Sequence, residues 1–90
     1  MNYTVDWIGG NCPVQAEGVV DGKPFYFRAR GDRWSLSVDL NGSLLNPEWS
    51  YVEPYGGTEF SAGWMEEDVA LEMIEKAIGI YLKEKNETIQ

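Results

Sequence analysis

The stretch Val14–Val38, which reads VQAEGVVDGKPFYFRARGDRWSLSV, decides the fold of this chain. Asp21-Gly22 stands between two runs of strand-forming residues, and Asp-Gly is a favoured pair for a two-residue hairpin turn. Gly31-Asp32 stands between the second run and a third. The stretch therefore predicts three antiparallel strands joined by two tight turns.

The two predicted turns each set a register, and both registers agree on which face of the sheet is apolar. The first turn places Ala16 opposite Phe27, and the second places Leu36 opposite Phe27. Because a one-residue slip would turn every side chain over, this agreement supports both registers. The predicted apolar face consists of Val14, Ala16, Phe25, Phe27, Ala29, Trp34, Leu36 and Val38. The predicted polar face consists of Gln15, Glu17, Tyr26, Arg28, Ser35, Ser37 and Asp39.

Further strands are predicted on both sides of this meander. Near the start of the chain, Tyr3, Val5 and Trp7 alternate with Thr4, Asp6 and Ile8, which indicates a first strand. A fifth strand is predicted between Pro47 and Pro54. The predicted strand ranges are about 3–8, 13–20, 24–30, 33–40 and 49–53.

The last part of the chain predicts a helix over about 65–85, with fraying from Asn86. Acidic residues stand in its first turn and lysines in its last, as the helix dipole favours. Its apolar stripe consists of Ala70, Leu71, Met73, Ile74, Ala77, Ile78, Tyr81 and Leu82. We interpret Gly79 as a place where helix and sheet approach closely. Residues 1–90 are thus expected to form one α+β domain, an antiparallel meander of four to five strands packed against one C-terminal α-helix.

The charge of the chain is strongly acidic and unevenly distributed. The net charge is −8, and no lysine or arginine occurs between Trp34 and Glu75. That stretch contains Asp39, Glu48, Glu53, Glu59, Glu66, Glu67, Asp68, Glu72 and Glu75. Such a charge argues against direct binding to nucleic acid or to anionic membranes, which attract basic surfaces. Two interpretations stay open, namely simple solubility and an acidic face that docks on a basic partner.

The residue types needed for common catalytic and metal sites are scarce. The chain has no histidine and one cysteine, Cys12, which excludes histidine-dependent triads, zinc sites with several thiolates and an intramolecular disulfide. We expect Cys12 to be a small buried side chain. We also expect no cofactor, no metal and no enzymatic activity. Without a signal peptide or a membrane-spanning run, a soluble cytoplasmic protein is expected, as a monomer or a weak homodimer.

One candidate partner-binding surface is the polar sheet face around Tyr26, Arg28 and Ser35, flanked by Arg30 and Arg33. Tyrosine and arginine are frequent in the residues that dominate interface energies. The alternative interpretation is that the arginines pair internally with Glu17 and Asp39 across the strands.

The second candidate surface combines an aromatic, acidic loop with the start of the helix. Its candidate residues are Glu53, Tyr55, Glu59, Glu66 and Glu67. Aromatic rings with an acidic rim can hold the lysines and arginines of a basic partner. We expect Glu53, Tyr55 and Glu59 to be exposed. The alternative is that Trp49, Tyr51 and Trp64 simply cover the core beneath the helix.

Several segments of the chain resemble small uncharacterised proteins encoded by bacteriophages and prophages. The segments are WIGGNCPVQAEG at 7–18, GKPFYFRARG at 22–31, EPYG at 53–56 and AGWM at 62–65. Small acidic proteins of this kind include anti-defence factors, anti-CRISPR proteins above all. The resemblance therefore implies an anti-CRISPR context, and it supplies no binding residues.

Three functions follow as hypotheses. The first is a non-enzymatic, anti-CRISPR-like inhibitor that acts as a DNA mimic and lays an acidic face on a basic nucleic-acid-binding surface of a host defence complex. The second is a module that binds a small ligand or nucleotide signal on the polar sheet face through Arg28. The third is an enzyme that uses carboxylates alone.

Overall fold

The computed structural model describes residues 3–10, 13–38, 49–56, 62 and 65–88. Its elements are β1 (Tyr3–Gly9), β2 (Val14–Val20), β3 (Lys23–Arg30), β4 (Arg33–Val38), β5 (Trp49–Pro54) and α1 (Glu67–Thr88). The strands form one antiparallel sheet in the order β1-β2-β3-β4-β5. The predicted α+β fold and its meander order are confirmed. Positions 39 and 40 of the predicted fourth strand lie outside the described residues.

Both tight turns have the backbone conformation that their sequences favour. Asp21 and Gly22 have φ values of 52° and 77°, so both central residues are left-handed, as in a type I′ turn. In the second turn Gly31 has a φ of 67°, as the first position of a type II′ turn requires. These turns set the predicted registers, with Ala16 opposite Phe27 and Phe27 opposite Leu36.

The predicted apolar face is buried and forms the sheet's half of the core. Its eight residues are at most 2% exposed. We call this side, which α1 covers, the inner face, and the opposite side the outer face. Burying large apolar side chains on one face of an antiparallel sheet leaves the other face for polar residues.

A β-bulge in β1 overturns the prediction that Trp7 shares a face with Tyr3 and Val5. Val5 lies opposite Gly18, but Trp7 lies opposite Glu17, so Asp6 is an extra residue without a partner in β2. Beyond the bulge every side chain changes face. Trp7 is therefore on the outer face and 51% exposed, whereas Ile8 packs against the core.

The bulge lies beside a glycine that the packing requires. A Cβ atom added at Gly18 would be 2.1 Å from the carbonyl oxygen of Thr4 and 2.6 Å from the ring of Phe25. No side chain fits at such distances, because both neighbours are held in place by the sheet and the core. Gly18 thus lets β1 and the Phe25 ring approach the backbone of β2.

The helix covers the inner face with most of its predicted stripe. Ala70, Ile74, Ala77, Ile78 and Tyr81 are buried in the same cluster as the sheet residues. Leu71 is an exception to the prediction: it is 40% exposed on the side of α1 that faces solvent. The prediction was too wide because residues adjacent in sequence point about 100° apart on a helix.

Two contacts hold α1 across the sheet, one near the middle of the helix and one near its end. Near its middle, the Tyr81 ring packs edge-on against Trp49 of β5, with ring centroids 5.1 Å apart. Near its end, the Lys85 ammonium donates a hydrogen bond to the Asp21 carboxylate in the β2–β3 turn. That contact lowers the pKa of Asp21. The helix therefore runs from β5 toward the β2–β3 turn.

The helix bounds differ from the prediction at both ends. The Glu66 carbonyl accepts the first helical hydrogen bond, from the Ala70 N–H at 2.9 Å, so α1 begins at Glu67. It continues to Thr88, beyond the predicted fraying at Asn86. Gly79 does not mark a close approach either, because an added Cβ there would meet nothing within 4 Å.

Candidate functional site

The structure divides the predicted partner-binding residues between two sides of the molecule. Tyr26, Arg28 and Arg30 lie on the outer face of the sheet, since their neighbours in β3 point into the core. Glu66 and Glu67 are exposed at the start of α1, on the opposite side. The predicted residue Glu59, together with Cys12, Asp39 and Trp64, lies outside the described residues.

Glu53 is half-buried at the inner edge of β5, contrary to the prediction that it is exposed. Both of its carboxylate oxygens contact the Lys76 ammonium of α1, at 2.7 and 2.8 Å. The Tyr51 hydroxyl donates a third hydrogen bond, at 2.7 Å. These contacts lower the pKa of Glu53, and the hydrogen bond from Lys76 has the largest effect. The same hydrogen bond to Glu53 raises the pKa of Lys76. Glu53 therefore joins helix to sheet, and a partner would have to displace Lys76 to reach it.

The aromatic residues of β5 cover the core, as the alternative interpretation expected. Trp49 and Tyr51 stack with ring centroids 6.3 Å apart, and Tyr51 also packs on the buried Trp34 at 5.7 Å. Tyr55 is half-buried against the same core, so the prediction of an exposed ring was wrong. The register explains the placement of Trp49 and Tyr51, since they lie opposite Val38 and Leu36, which face the core.

The first turns of α1 present an exposed acidic surface. It consists of Glu66, Glu67, Asp68, Glu72 and Glu75, all exposed, and we call it the acidic helix face. The exposed Leu71 lies among these carboxylates. Lys76 follows in the sequence, but Glu53 engages its ammonium. The acidic helix face therefore keeps nearly all of its negative charge available for a partner.

Three arginines gather at the other surface, around the β3–β4 turn. Arg30 of β3 and Arg33 of β4 are direct cross-strand neighbours, and Arg28 lies one pleat away on the same face. With Gly31, Asp32 and Ser35 they line an open pocket of about 440 Å³. We call this group the arginine pocket. Arg33 contacts Asp32 with 3.3 Å between Nε and Oδ1.

The predicted internal pairing of these arginines with Glu17 does not occur. Glu17 lies opposite Tyr26, and Arg28 lies opposite Gln15. Tyr26 donates a hydrogen bond to Gln15 at 3.0 Å. Among the described residues, Arg28 and Arg30 make no ion pair. Both residues are exposed.

Backbone hydrogen bonds hold the β3–β4 turn from the side of the following chain. The Gly31 carbonyl accepts from the Ala62 N–H at 2.9 Å, and the Asp32 carbonyl accepts from the Tyr55 N–H at 2.7 Å. The arginines therefore project from a turn whose backbone is already ordered. This support could not be predicted from the sequence, because it depends on where the chain passes after β5.

Within the described residues, no three histidine, cysteine, aspartate or glutamate side chains converge as in a metal site. In the same part of the chain, no helix has the length and apolar character needed to cross a bilayer. The sequence did not predict that Trp7 and Leu71 are exposed. For Trp7, the one available indication was Gly18, which accompanies the bulge. Comparisons with protein-family models, with curated proteins and with solved structures find no match to this chain.

Proposed function

We propose that this chain is a non-enzymatic inhibitor, anti-CRISPR-like, that binds a basic nucleic-acid-binding surface of a host defence complex through its acidic helix face. The observation that carries the proposal is the set of five exposed carboxylates in the first turns of α1 and directly before it, with the nearby ammonium of Lys76 engaged by Glu53. The phage resemblance of the sequence supplies the context. The protein would act in the host cytoplasm as a monomer or a weak homodimer.

The acidic helix face suits a groove that normally holds a phosphate backbone. Asp68, Glu72 and Glu75 stand three or four positions apart, so their carboxylates form a row along one side of the helix. Glu66 and Glu67 add negative charge around its start. Such a row attracts lysines and arginines from a distance and speeds association at low ionic strength. Leu71, exposed at 40% within the row, adds an apolar contact at its centre.

The test is inhibition of purified CRISPR effector complexes, one of each type, in a target-cleavage assay. Glu67→Lys with Glu72→Lys reverses two charges of the acidic helix face. The matched control is Asp6→Lys with Glu17→Lys, which changes the net charge equally at exposed positions away from α1. We expect the wild type to inhibit at least one complex, and the first variant to lose about tenfold or more in affinity, as truncated interfacial charge pairs do. The control should keep full inhibition.

Two outcomes would contradict the proposal at different steps. If the wild type inhibits none of the complexes, the anti-CRISPR assignment is wrong. If the wild type inhibits but both variants lose inhibition equally, the acidic helix face is not the binding surface. Thermal unfolding by circular dichroism confirms that each variant is folded before the assay. Repeating the titration at higher salt should weaken wild-type binding, since exposed charges are screened.

A further inference from the structure

We propose that the arginine pocket is an anion-binding site that takes the phosphate group of a small ligand, on the side of the sheet opposite the acidic helix face. This site is independent of the proposed inhibitory function. It develops the small-ligand hypothesis for the polar sheet face into a defined location and chemistry.

Positive charge is concentrated in the arginine pocket. The chain has a net charge of −8 and seven basic residues, yet three of the seven line this one pocket. Arg30 and Arg33 stand directly opposite each other across two strands, where like charges destabilise a sheet. An arriving anion would remove that repulsion. The other side of the molecule shows the contrast, because Lys76 and Lys85 each pair with a carboxylate.

The described residues that line the pocket carry a net positive charge. Among them, Asp32 is the one carboxylate, and its Oδ1 contacts Arg33 Nε. Arg33 is 68% exposed, so its terminal nitrogens stay accessible. Among the described lining residues, three guanidinium groups and one carboxylate leave an excess of two positive charges. A phosphate monoester carries about −1.5 to −2 charges at neutral pH, which matches that excess.

The arrangement of donors in the pocket suits a phosphate group. A guanidinium group offers a planar fork of donors that fits phosphate oxygens in pairs. Three forks and the Ser35 hydroxyl surround the pocket, and its volume of about 440 Å³ accommodates a small phosphorylated molecule. Within the part of the chain that the structure describes, the lining contains no apolar or aromatic side chain. The pocket therefore recognises the charged group and makes few contacts with an apolar remainder.

The backbone that carries the arginine pocket is held in place before a ligand binds. The Ala62 and Tyr55 N–H groups hold the two turn carbonyls, and β3 and β4 are central strands of the sheet. Binding has to order side chains but no backbone, which lowers its entropic cost. A long nucleic acid is disfavoured as the occupant, because the strongly acidic remainder of the chain repels an extended polyanion.

The test is isothermal titration with sodium pyrophosphate and inorganic phosphate, with ionic strength held constant by sodium chloride. We expect saturable binding of pyrophosphate, weakened about tenfold or more by Arg30→Gln or Arg28→Gln, since hydrogen bonds between charged groups are strong. Arg30→Lys keeps the charge but loses the fork, and should also weaken binding. The matched control is Lys83→Gln, an exposed cation of α1, and it should bind as the wild type.

The proposal is overturned if pyrophosphate does not bind above the sodium chloride background, or if Lys83→Gln weakens binding as much as Arg30→Gln. Unchanged binding by Arg30→Lys would also overturn it, because diffuse charge would then suffice. Citrate that binds as tightly as pyrophosphate would refute the phosphate preference. A single-stranded oligonucleotide that binds more tightly than pyrophosphate would assign the site to nucleic acid instead. None of these outcomes depends on inhibition by the acidic helix face.

Discussion

The inner and outer faces of the sheet are built from alternate residues of the same strands, yet they serve opposite purposes. Phe27 and Trp34 on the inner face are fully buried, while Val52 and Trp7 on the outer face are 54% and 51% exposed. The arginine pocket is also on the outer face. The difference shows that apolar burial is concentrated on the inner face, while the outer face carries charged side chains.

The largest effect should come from removing a central inner-face side chain. Phe27→Ala deletes a buried ring and is expected to lower the free energy of unfolding by about 3–5 kcal/mol. Val52→Ala, on the outer face, should change it by less than about 1 kcal/mol. Urea titration monitored by circular dichroism measures both. Similar losses in the two variants would abolish the distinction between the faces.

A smaller but substantial loss is expected from adding a single methyl group at the inner-face glycine. Gly18→Ala forces the Thr4 carbonyl and the Phe25 ring to move, because the new Cβ has no room. Forcing an extra carbon into a packed core costs about 1–3 kcal/mol, and we expect the upper end of that range. The control is Val19→Ala, the partly exposed neighbour on the outer face. Wild-type stability of Gly18→Ala in the same urea titration would show that β1 adapts freely.

The same substitution should have the opposite sign on the helix. Gly79→Ala places a methyl group where nothing lies within 4 Å. It should stabilise the protein by about 1 kcal/mol, the difference in helix propensity between the two residues. For a domain of this size that corresponds to a rise in Tm of about 4–8 °C. Lys83→Ala on the same helix should change Tm little. A lower Tm for Gly79→Ala would mean that α1 does approach a neighbour there.

The smallest effect should appear at the edge of the inner face and depend on pH. The pKa of Glu53 is lowered in the folded chain by Lys76 and Tyr51, so the ionised carboxylate stabilises the fold. That contribution is present above the unfolded pKa of about 4.3 and is lost as the pH falls through the lower folded pKa. Glu53→Gln should therefore cost a fraction of a kcal/mol at neutral pH, as a partly exposed ion pair does.

The pH profile distinguishes this contact from a general charge effect. The stability difference between the wild type and Glu53→Gln should shrink toward zero in strongly acidic solution. Glu17→Gln, an exposed outer-face change that removes the same charge, is the matched control. A difference that stays constant between neutral and acidic pH would show that the contact with Lys76 does not contribute to stability.

The meander could be predicted from the sequence because its two turns are local. A two-residue loop fixes the register of both flanking strands, and Asp21-Gly22 adopts the left-handed conformation that such a loop requires. Alternation along the strands then separates the inner from the outer face. The arginines were accordingly assigned to the correct face, and so were Glu66 and Glu67 to the start of the helix.

The bulge in β1 and the role of Glu53 could not be predicted, because both depend on contacts between distant segments. Tyr3, Val5 and Trp7 alternate along the chain, and the bulge at Asp6 arises when β1 packs beside Gly18 of β2. Glu53 carries the same charge as its acidic neighbours in sequence, and its distinct role follows from the approach of Lys76 in α1.

The sequence by itself determined the α+β class, the registers of three strands and the acidic character of the helix start, because turn chemistry and periodicity act over a few residues. Only the tertiary structure decided which carboxylates are exposed and which, like that of Glu53, are engaged in an ion pair with the helix. It also placed the arginine pocket and the acidic helix face on opposite sides of the sheet. The physical reason is that burial and ion pairing are settled when helix and strands meet, and residues far apart in the chain then compete for the same contacts.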